Sequence, residues 1–141
     1  MTDVLAQRSF RGRADLDAVE AVHDELDGLW EDAPFVQDVD QMTFATAVIE
    51  SVSNIVQHAQ PAKAQRPVEL GVEISVQPTL LQARVSAFHA KPPFGPMIPG
   101  TPDDDAESGR GLALIQALVT TVTFERQDGT NIWVLTRTSQ E

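Results

Sequence analysis

The sequence contains no cysteine and few basic residues. The absence of Cys from the 141 residues excludes disulfide bonds, thiolate metal sites and a cysteine nucleophile, and it is consistent with a reducing compartment. Only 10 Lys and Arg stand against 21 Asp and Glu, which gives a formal net charge of −11. Such a charge repels phosphate backbones and anionic lipids, so it disfavours direct binding to nucleic acids or membranes and favours a basic protein partner.

Long apolar runs are also absent. No segment approaches the roughly 18 apolar residues that span a bilayer, and residues 1–10 lack the basic start and apolar stretch of a signal peptide. Hydrophobic residues make up 42% of the chain and charged residues 22%, which is typical of globular proteins. We therefore expect a soluble, cytoplasmic protein that forms a single domain over residues 1–141.

Helical periodicity predicts two helices in the first half of the chain. Asp15 is a candidate N-cap for a helix that runs to about Trp30, because apolar residues follow it at spacings of three and four. A second helix opens near Asp38 or Asp40 and ends before Pro61. Its apolar positions keep to one side and are Phe44, Val48, Val52, Ile55 and Ala59.

The other segments have the twofold alternation of strands or the composition of turns. The proline-rich residues 89–108 predict a long loop, and residues 109–119 predict a short apolar helix. Helices kept apart from an antiparallel sheet predict an α+β fold, a two-layer sandwich with the helices on one face. The predicted strands are residues 5–12 (an edge strand), 68–76, 80–88, 121–127 and 131–138, with a hairpin turn around Asp128 and Gly129.

Large aromatic side chains usually complete a core or its edge. Trp30, Trp133, Phe35 and Phe44 are therefore predicted to be structural. His23 lies among acidic residues and is predicted to be exposed.

The second predicted helix carries a polar trio. Glu50, Asn54 and His58 follow one another at four-residue steps, so each lies about 40° round the helix from the last. The apolar positions of the same helix point nearly the opposite way. A carboxylate can accept a proton from a hydroxyl, and an amide oxygen is a hard ligand suited to Mg²⁺. The spacing alone favours the simpler interpretation of a solvated polar face and leaves the functional one open.

Two glycines flank an arginine where the third predicted helix begins. Gly109, Arg110 and Gly111 precede Leu112. Glycines let backbone N–H groups approach an anion, the helix dipole favours negative charge, and arginine adds donors. The segment is not a Walker A loop, because no Lys-Ser/Thr follows, and it is not a dinucleotide motif, because it follows a loop. It predicts either a phosphate site or a plain hinge or cap.

The order of these pieces resembles one family. Glu-x-x-x-Asn-x-x-x-His on a helix is followed by a hairpin, a Pro-rich loop, Gly-Arg-Gly-Leu-Ala-Leu at residues 109–114 and Asp-Gly-Thr before the last strand. This order is similar to that of the anti-sigma-factor serine/threonine kinases, which belong to the GHKL ATPases. The resemblance covers residues 8–138 and implies the Bergerat ATP-binding fold over the single domain.

The resemblance also implies roles and partners. Glu50 is the implied general base on a serine hydroxyl of a partner protein, Asn54 the implied ligand of an Mg²⁺ that bridges ATP phosphates, and residues 95–108 the implied lid. The partner is a sigma factor or an anti-sigma-factor antagonist, and a homodimer is compatible with the resemblance. The implied ATP-binding residues are Asn54, His58, His89, Gly109, Arg110, Gly111 and Leu112.

One family motif is altered. Members usually carry Asp-x-Gly ahead of a Pro-Phe-Asp-Pro-like stretch, and the Asp receives the adenine amino group. Residues 93–96 keep this stretch, but His89 stands in place of the Asp and Lys91 in place of the Gly. A neutral imidazole nitrogen accepts one hydrogen bond and lacks the second carboxylate oxygen. Since an unpaired donor costs about 1–3 kcal/mol, we expect weakened or lost ATP binding.

Three functions follow from this pattern. The favoured one is an ATP-dependent serine/threonine kinase that regulates transcription by partner switching. The alternative is a non-catalytic protein-binding module that keeps the fold and has weak or no nucleotide binding. A stand-alone ATPase is less favoured, because the chain has no room for the extra domains that usually harness hydrolysis.

Overall fold

The structure, a computed structural model, describes residues 4–93 and 107–138, and for residues 107–112 it describes the backbone only. None of the helices in these two ranges is both long and apolar enough to cross a membrane. The elements are β1 (Ala6–Arg13), α1 (Leu16–Asp32), α2 (Asp38–His58), β2 (Glu69–Gln77), β3 (Leu80–Phe88), α3 (Glu107–Leu118), β4 (Thr121–Gln127) and β5 (Thr130–Thr138).

The strands form one antiparallel sheet in the order β1-β2-β3-β5-β4. The predicted strands are therefore confirmed to within one residue at each end, and β1 is an edge strand as expected. α1 contacts β1 and β2, α2 contacts β3 and β5, and α3 contacts α2 and β4. All three helices cover the same face of the sheet, which confirms the predicted two-layer α+β sandwich.

Strand pleating decides which residues form the core. On β2, Leu70, Val72, Ile74 and Val76 point toward the helices and are 0–2% exposed, while the residues between them point to the open face. On α2, the predicted apolar positions from Phe44 to Ile55 are buried, and Ala59 is half-buried at the helix end. The apolar faces that the helical and the twofold periodicities predict therefore pack against each other in one core.

α1 begins at the predicted residue. The Asp15 side chain accepts a hydrogen bond from the backbone N–H of Ala18 at 3.0 Å, and so caps the first turn. The helix runs to Asp32, two residues beyond the predicted end and two before Pro34. Its buried face is Ala18, Val22, Leu26 and Leu29.

The three arginines that are close in sequence on β1 lie on opposite faces of the sheet. Arg8 points toward α1, where its Nε donates to Asp32 at 2.9 Å and Glu25 lies at 3.7 Å. The hydrogen bond to Asp32, and then its charge, raise the pKa of the Arg8 guanidinium above its ordinary value. Arg11 and Arg13 point to the open face, and Arg11 pairs with Glu69 there.

The aromatic predictions are confirmed except for one. Phe44 is fully buried and meets Trp30 edge to face at 6.2 Å, and Trp133 is buried beside Phe124 at 5.1 Å. His23 is exposed, as predicted. The structural role predicted for Phe35 is wrong, because its side chain is 61% exposed. The turn after α1 instead buries the next residue, Val36, whose carbonyl oxygen accepts a hydrogen bond from the Gln41 side chain at 2.9 Å.

Candidate functional site

The polar trio lies on the solvent side of α2. Glu50, Asn54 and His58 are each half-buried, while Val52 and Ile55 on the opposite side of the helix are buried in the core. Among the described residues, none of the three polar side chains takes part in a hydrogen bond or an ion pair. The predicted placement of the three polar side chains on one helix face is confirmed.

Backbone hydrogen bonds fasten the end of α2 to the segment that follows β3. The N–H of Lys91 donates to the carbonyl of Gln60 at 2.8 Å, and the N–H of Ala62 donates to the carbonyl of His89 at 2.9 Å. The N–H of Ala90 donates to the carbonyl of Gly129 at 3.2 Å. The structure thus brings His58, residues 89–91 and the β4–β5 turn together at one end of the sheet.

A cavity of about 200 Å³ opens at this junction. It lies between the end of α2, residues 91–93 and β5, and its wall is mostly apolar. Of the residues predicted to bind ATP, His58 lines the cavity, whereas Asn54 and His89 do not; the predicted base Glu50 does not line it either. Among the described residues that line it there is no Asp or Glu that could accept a hydrogen bond from the adenine amino group.

Sequence reasoning did not assign Asn131 or Trp133 to the site, although both line this cavity. Both lie on β5 and point toward the helices, in register with Ala87 and Val85 of β3. Asn131 is only 2% exposed. A polar residue at a position that alternates with buried Trp133 and Leu135 was the available signal, because buried amides need partners.

The Asn131 side chain holds the cavity wall in place. Its Oδ1 accepts from Nη1 of Arg126 at 2.6 Å, and its Nδ2 donates to the carbonyl of Lys91 at 2.8 Å. One amide thereby links β4, β5 and the segment after β3. Because both ends of the amide are engaged, Asn131 is a rigid part of the wall.

His89 adopts a left-handed backbone conformation, with φ of 61°. This conformation turns the chain sharply where β3 ends, and the imidazole lies 6.4 Å from the ring of Phe88. Lys91, two residues later, lines the cavity with an exposed side chain. His89 and Lys91 therefore both lie at this end of the molecule, but only Lys91 lines the cavity.

The glycine pair lies inside α3 and not before it. The helix begins at Glu107, two residues earlier than predicted, and packs against α2. In a helix with this start the N–H of Gly109 belongs to the unpaired first turn, whereas the N–H of Gly111 faces the carbonyl of Glu107. The side chains of Arg110 and Leu112 lie outside the description, as do residues 95–106 of the predicted lid.

The fold and this junction define a class: an α+β sandwich in which a polar helix face and the glycine-containing start of a second helix belong to neighbouring helices. Comparison with known proteins identifies the family. The family model of the histidine kinase-like ATPase domain matches residues 12–136, so the chain belongs to that family. No curated protein matches the sequence.

A solved structure supports the same fold. The crystal structure of the RsbU and RsbW domains of Rv1364c from Mycobacterium tuberculosis superposes with a TM-score of 0.68 at 19% sequence identity. The match covers 96% of this chain and 33% of that chain, so this chain spans about a third of the length of its neighbour. At this identity the likeness establishes the fold.

Proposed function

We propose that this chain is an ATP-dependent protein serine/threonine kinase of the anti-sigma-factor type, acting in the cytoplasm by partner switching. The observation that carries the proposal is the face of α2 formed by Glu50, Asn54 and His58, which have no side-chain partner among the described residues and lie on a helix that packs against α3. Membership of the histidine kinase-like ATPase family and the likeness to the fold of a structure that contains an RsbW domain support it. The proposed partners are a sigma factor or its antagonist, with a homodimer as the working assembly.

In this proposal Glu50 is the general base. Its carboxylate accepts the proton of a partner's serine hydroxyl while that oxygen bonds to the γ-phosphorus of ATP and the bond to ADP breaks. His58 lines the cavity, and Gly109 and Arg110, in the first turn of α3, would bind the phosphates. The same proposed site includes Gly111, Leu112 and His89. A histidine at position 89 recognises adenine more weakly than an Asp would.

The donor set suits Mg²⁺ that arrives with its nucleotide. In the part of the chain that the structure describes, no three His, Asp or Glu side chains cluster as metal ligands. Asn54 would hold the ion, because its amide oxygen is a hard donor of the kind that Mg²⁺ accepts. When bound, the ion neutralises phosphate charge.

A calorimetric titration tests the nucleotide site. We expect ATP and ADP to bind in the micromolar range with Mg²⁺, and Asn54→Ala to weaken the magnesium-dependent binding by at least about tenfold. Gln57→Ala, an exposed polar residue on the same helix, is the matched control and leaves binding unchanged. If the titration shows no binding heat even at millimolar nucleotide, that result contradicts the proposed ATP site.

A phosphotransfer assay tests the base separately. With labelled ATP and candidate antagonist proteins, Glu50→Gln is expected to slow transfer by about 10²–10⁴-fold and to leave ATP binding intact. Transfer at the parent rate by this variant removes Glu50 from its assigned role.

Lys91 at the cavity and His89 beside it favour the second candidate, a protein-binding module whose nucleotide recognition has decayed. The double variant His89→Asp/Lys91→Gly separates the two candidates. If the parent does not bind nucleotide and the double variant does, these two residues account for the loss. If the parent binds, the kinase is favoured, and the double variant is expected to bind more tightly.

A further inference from the structure

A patch of three large apolar side chains is exposed in the turn between α1 and α2 and in the first turns of α2. Phe35 is 61% exposed, Val39 60% and Met42 71%. Val39 and Met42 are three residues apart on α2, so they share one face of the helix, and Phe35 lies in the turn just before it. Large apolar side chains that are exposed together on a single domain are a mark of an interaction surface.

The surroundings of this patch are strongly acidic. Residues 16–58, which include both α1 and α2, contain ten Asp and Glu and neither Lys nor Arg. Glu31 and Asp38 flank the patch in sequence and are exposed. The two arginines that other elements contribute at this end, Arg8 and Arg137, are engaged by Asp32 and Asp40. The patch is therefore apolar at its centre and negative at its rim.

The patch is in line with Glu50. At 100° per residue, Val39, Thr46 and Glu50 fall within about 40° of one another on the solvent side of α2. Met42 precedes Glu50 by about 12 Å along the helix axis, at 1.5 Å per residue. A helix that packs along this face reaches from the patch toward Glu50.

We propose that the patch formed by Phe35, Val39 and Met42 docks a partner protein through an amphipathic helix whose apolar stripe is flanked by Lys and Arg. A helix is the occupant because Val39 and Met42, three residues apart on α2, present an exposed apolar face against which another helix can pack. A basic flank is required because the acidic rim attracts it and repels a second copy of the same surface. The link to Glu50 rests on the proposed kinase function, whereas the docking itself does not.

A titration of the isotope-labelled full chain, free of nucleotide, tests the docking by amide chemical shifts. The probe is a helical peptide of about 18 residues built from Leu and Lys, and a Leu and Glu peptide of the same pattern is its charge-reversed control. We expect the Lys peptide to shift amides of residues 35–46, and the Glu peptide to shift none. Raising NaCl from about 50 to 300 mM should lower the affinity for the Lys peptide several-fold, because salt screens the charges of a solvent-exposed rim.

The double variant Phe35→Ser/Met42→Ser is expected to bind the Lys peptide at least about tenfold more weakly than the parent. Leu16→Ser is the matched control, because Leu16 is 77% exposed at the far end of α1, which is also acidic. It should change the affinity by less than about twofold. Thermal melts of both variants are expected to match the parent, since all three side chains are exposed.

Other outcomes overturn the proposal. Shifts on the open face of the sheet, or equal affinity for the double variant, show that charge alone attracts the peptide. A concentration-dependent dimer that the double variant abolishes shows that a second copy covers the patch. Docking without nucleotide binding leaves this inference standing while the kinase fails, and nucleotide binding without docking does the reverse.

Discussion

His89 is held in a conformation that L-residues seldom adopt. Its φ is 61°, in the left-handed region, where Cβ approaches the following carbonyl oxygen. Hydrogen bonds of the surrounding backbone keep it there: Ala62 donates to the carbonyl of His89, and Lys91 donates to Gln60. The same turn positions Lys91 at the cavity, so a strained residue shapes one wall of the candidate site.

Relieving this strain should stabilise the fold. His89→Gly is expected to raise the free energy of unfolding by about 0.5–1 kcal/mol, because glycine adopts positive φ without a steric cost. Lys91→Gly is the control: Lys91 lacks a positive φ, so glycine there only adds entropy to the unfolded chain and lowers stability by about 0.5–1 kcal/mol. Urea unfolding measures both, and an equal loss in the two variants would show that His89 is not strained.

At the scale of elements, the ends of the helices are fastened by strand residues. Nε of Arg137 on β5 donates to Asp40 near the start of α2 at 2.9 Å, and its Nη1 donates to the carbonyl of Leu118 at the end of α3 at 2.8 Å. Asp40 is only 5% exposed. One guanidinium therefore links α2, which carries the proposed general base Glu50, to α3, which carries the proposed phosphate-binding residues.

Removing this guanidinium should cost more than removing an exposed one. Arg137→Met is expected to lower the free energy of unfolding by about 2 kcal/mol, because it breaks a largely buried ion pair and the cap on α3. Arg84→Met, on the open face and without an ion pair among the described residues, should change it by less than about 0.5 kcal/mol. A loss below that figure for Arg137→Met, in the same denaturation assay, would contradict the clamp.

The β4–β5 hairpin depends on its turn residues. Asp128 and Gly129 both have positive φ, 51° and 77°, as a tight two-residue turn of the I′ type requires. A Cβ on Gly129 would meet no atom within 4 Å, so any cost of substitution comes from the backbone alone. This turn also accepts the hydrogen bond from Ala90 and so borders the candidate site.

Gly129→Ala is expected to lower the free energy of unfolding by about 1 kcal/mol, because alanine is strained at positive φ. Gly129→Asn should cost less than the alanine variant, because asparagine tolerates the left-handed region better. Thermal denaturation ranks the two, and a stability equal to that of the parent for Gly129→Ala would show that the turn relaxes to another type.

Over the whole molecule, charge is distributed unevenly. The helical segment 16–58 carries ten acidic residues and no Lys or Arg. On the open face of the sheet, Arg11, Arg13 and Arg84 are interspersed with Glu residues on β2 and β4. The repulsion in a protein of net charge −11 is therefore concentrated on the helical layer.

Screening this repulsion should stabilise the protein. Raising NaCl from about 10 to 300 mM is expected to increase the free energy of unfolding by about 1 kcal/mol. Asp24→Lys/Asp27→Lys, at two exposed positions on α1, should reduce this dependence, whereas Glu73→Lys/Glu125→Lys, at two exposed positions on the open face of the sheet, should reduce it less. Destabilisation of the parent by salt would mean that its ion pairs outweigh the repulsion.

The sequence by itself determined the elements and their buried faces. The N-cap Asp15, the alternation on β2, the hairpin at Asp128 and the polar face of α2 are all local patterns, and helical and strand periodicity express them without knowledge of the fold. The family resemblance followed from the order of such patterns, and the match over residues 12–136 confirmed it.

Only the tertiary structure decided what depends on residues far apart in the chain. It placed Val36 in the core and Phe35 outside, separated Arg8 from Arg11 across the sheet, and joined Asn131 to Lys91 in one wall. Each of these outcomes depends on which surface a neighbouring element offers, and that follows from packing and strand register, which one segment alone does not encode.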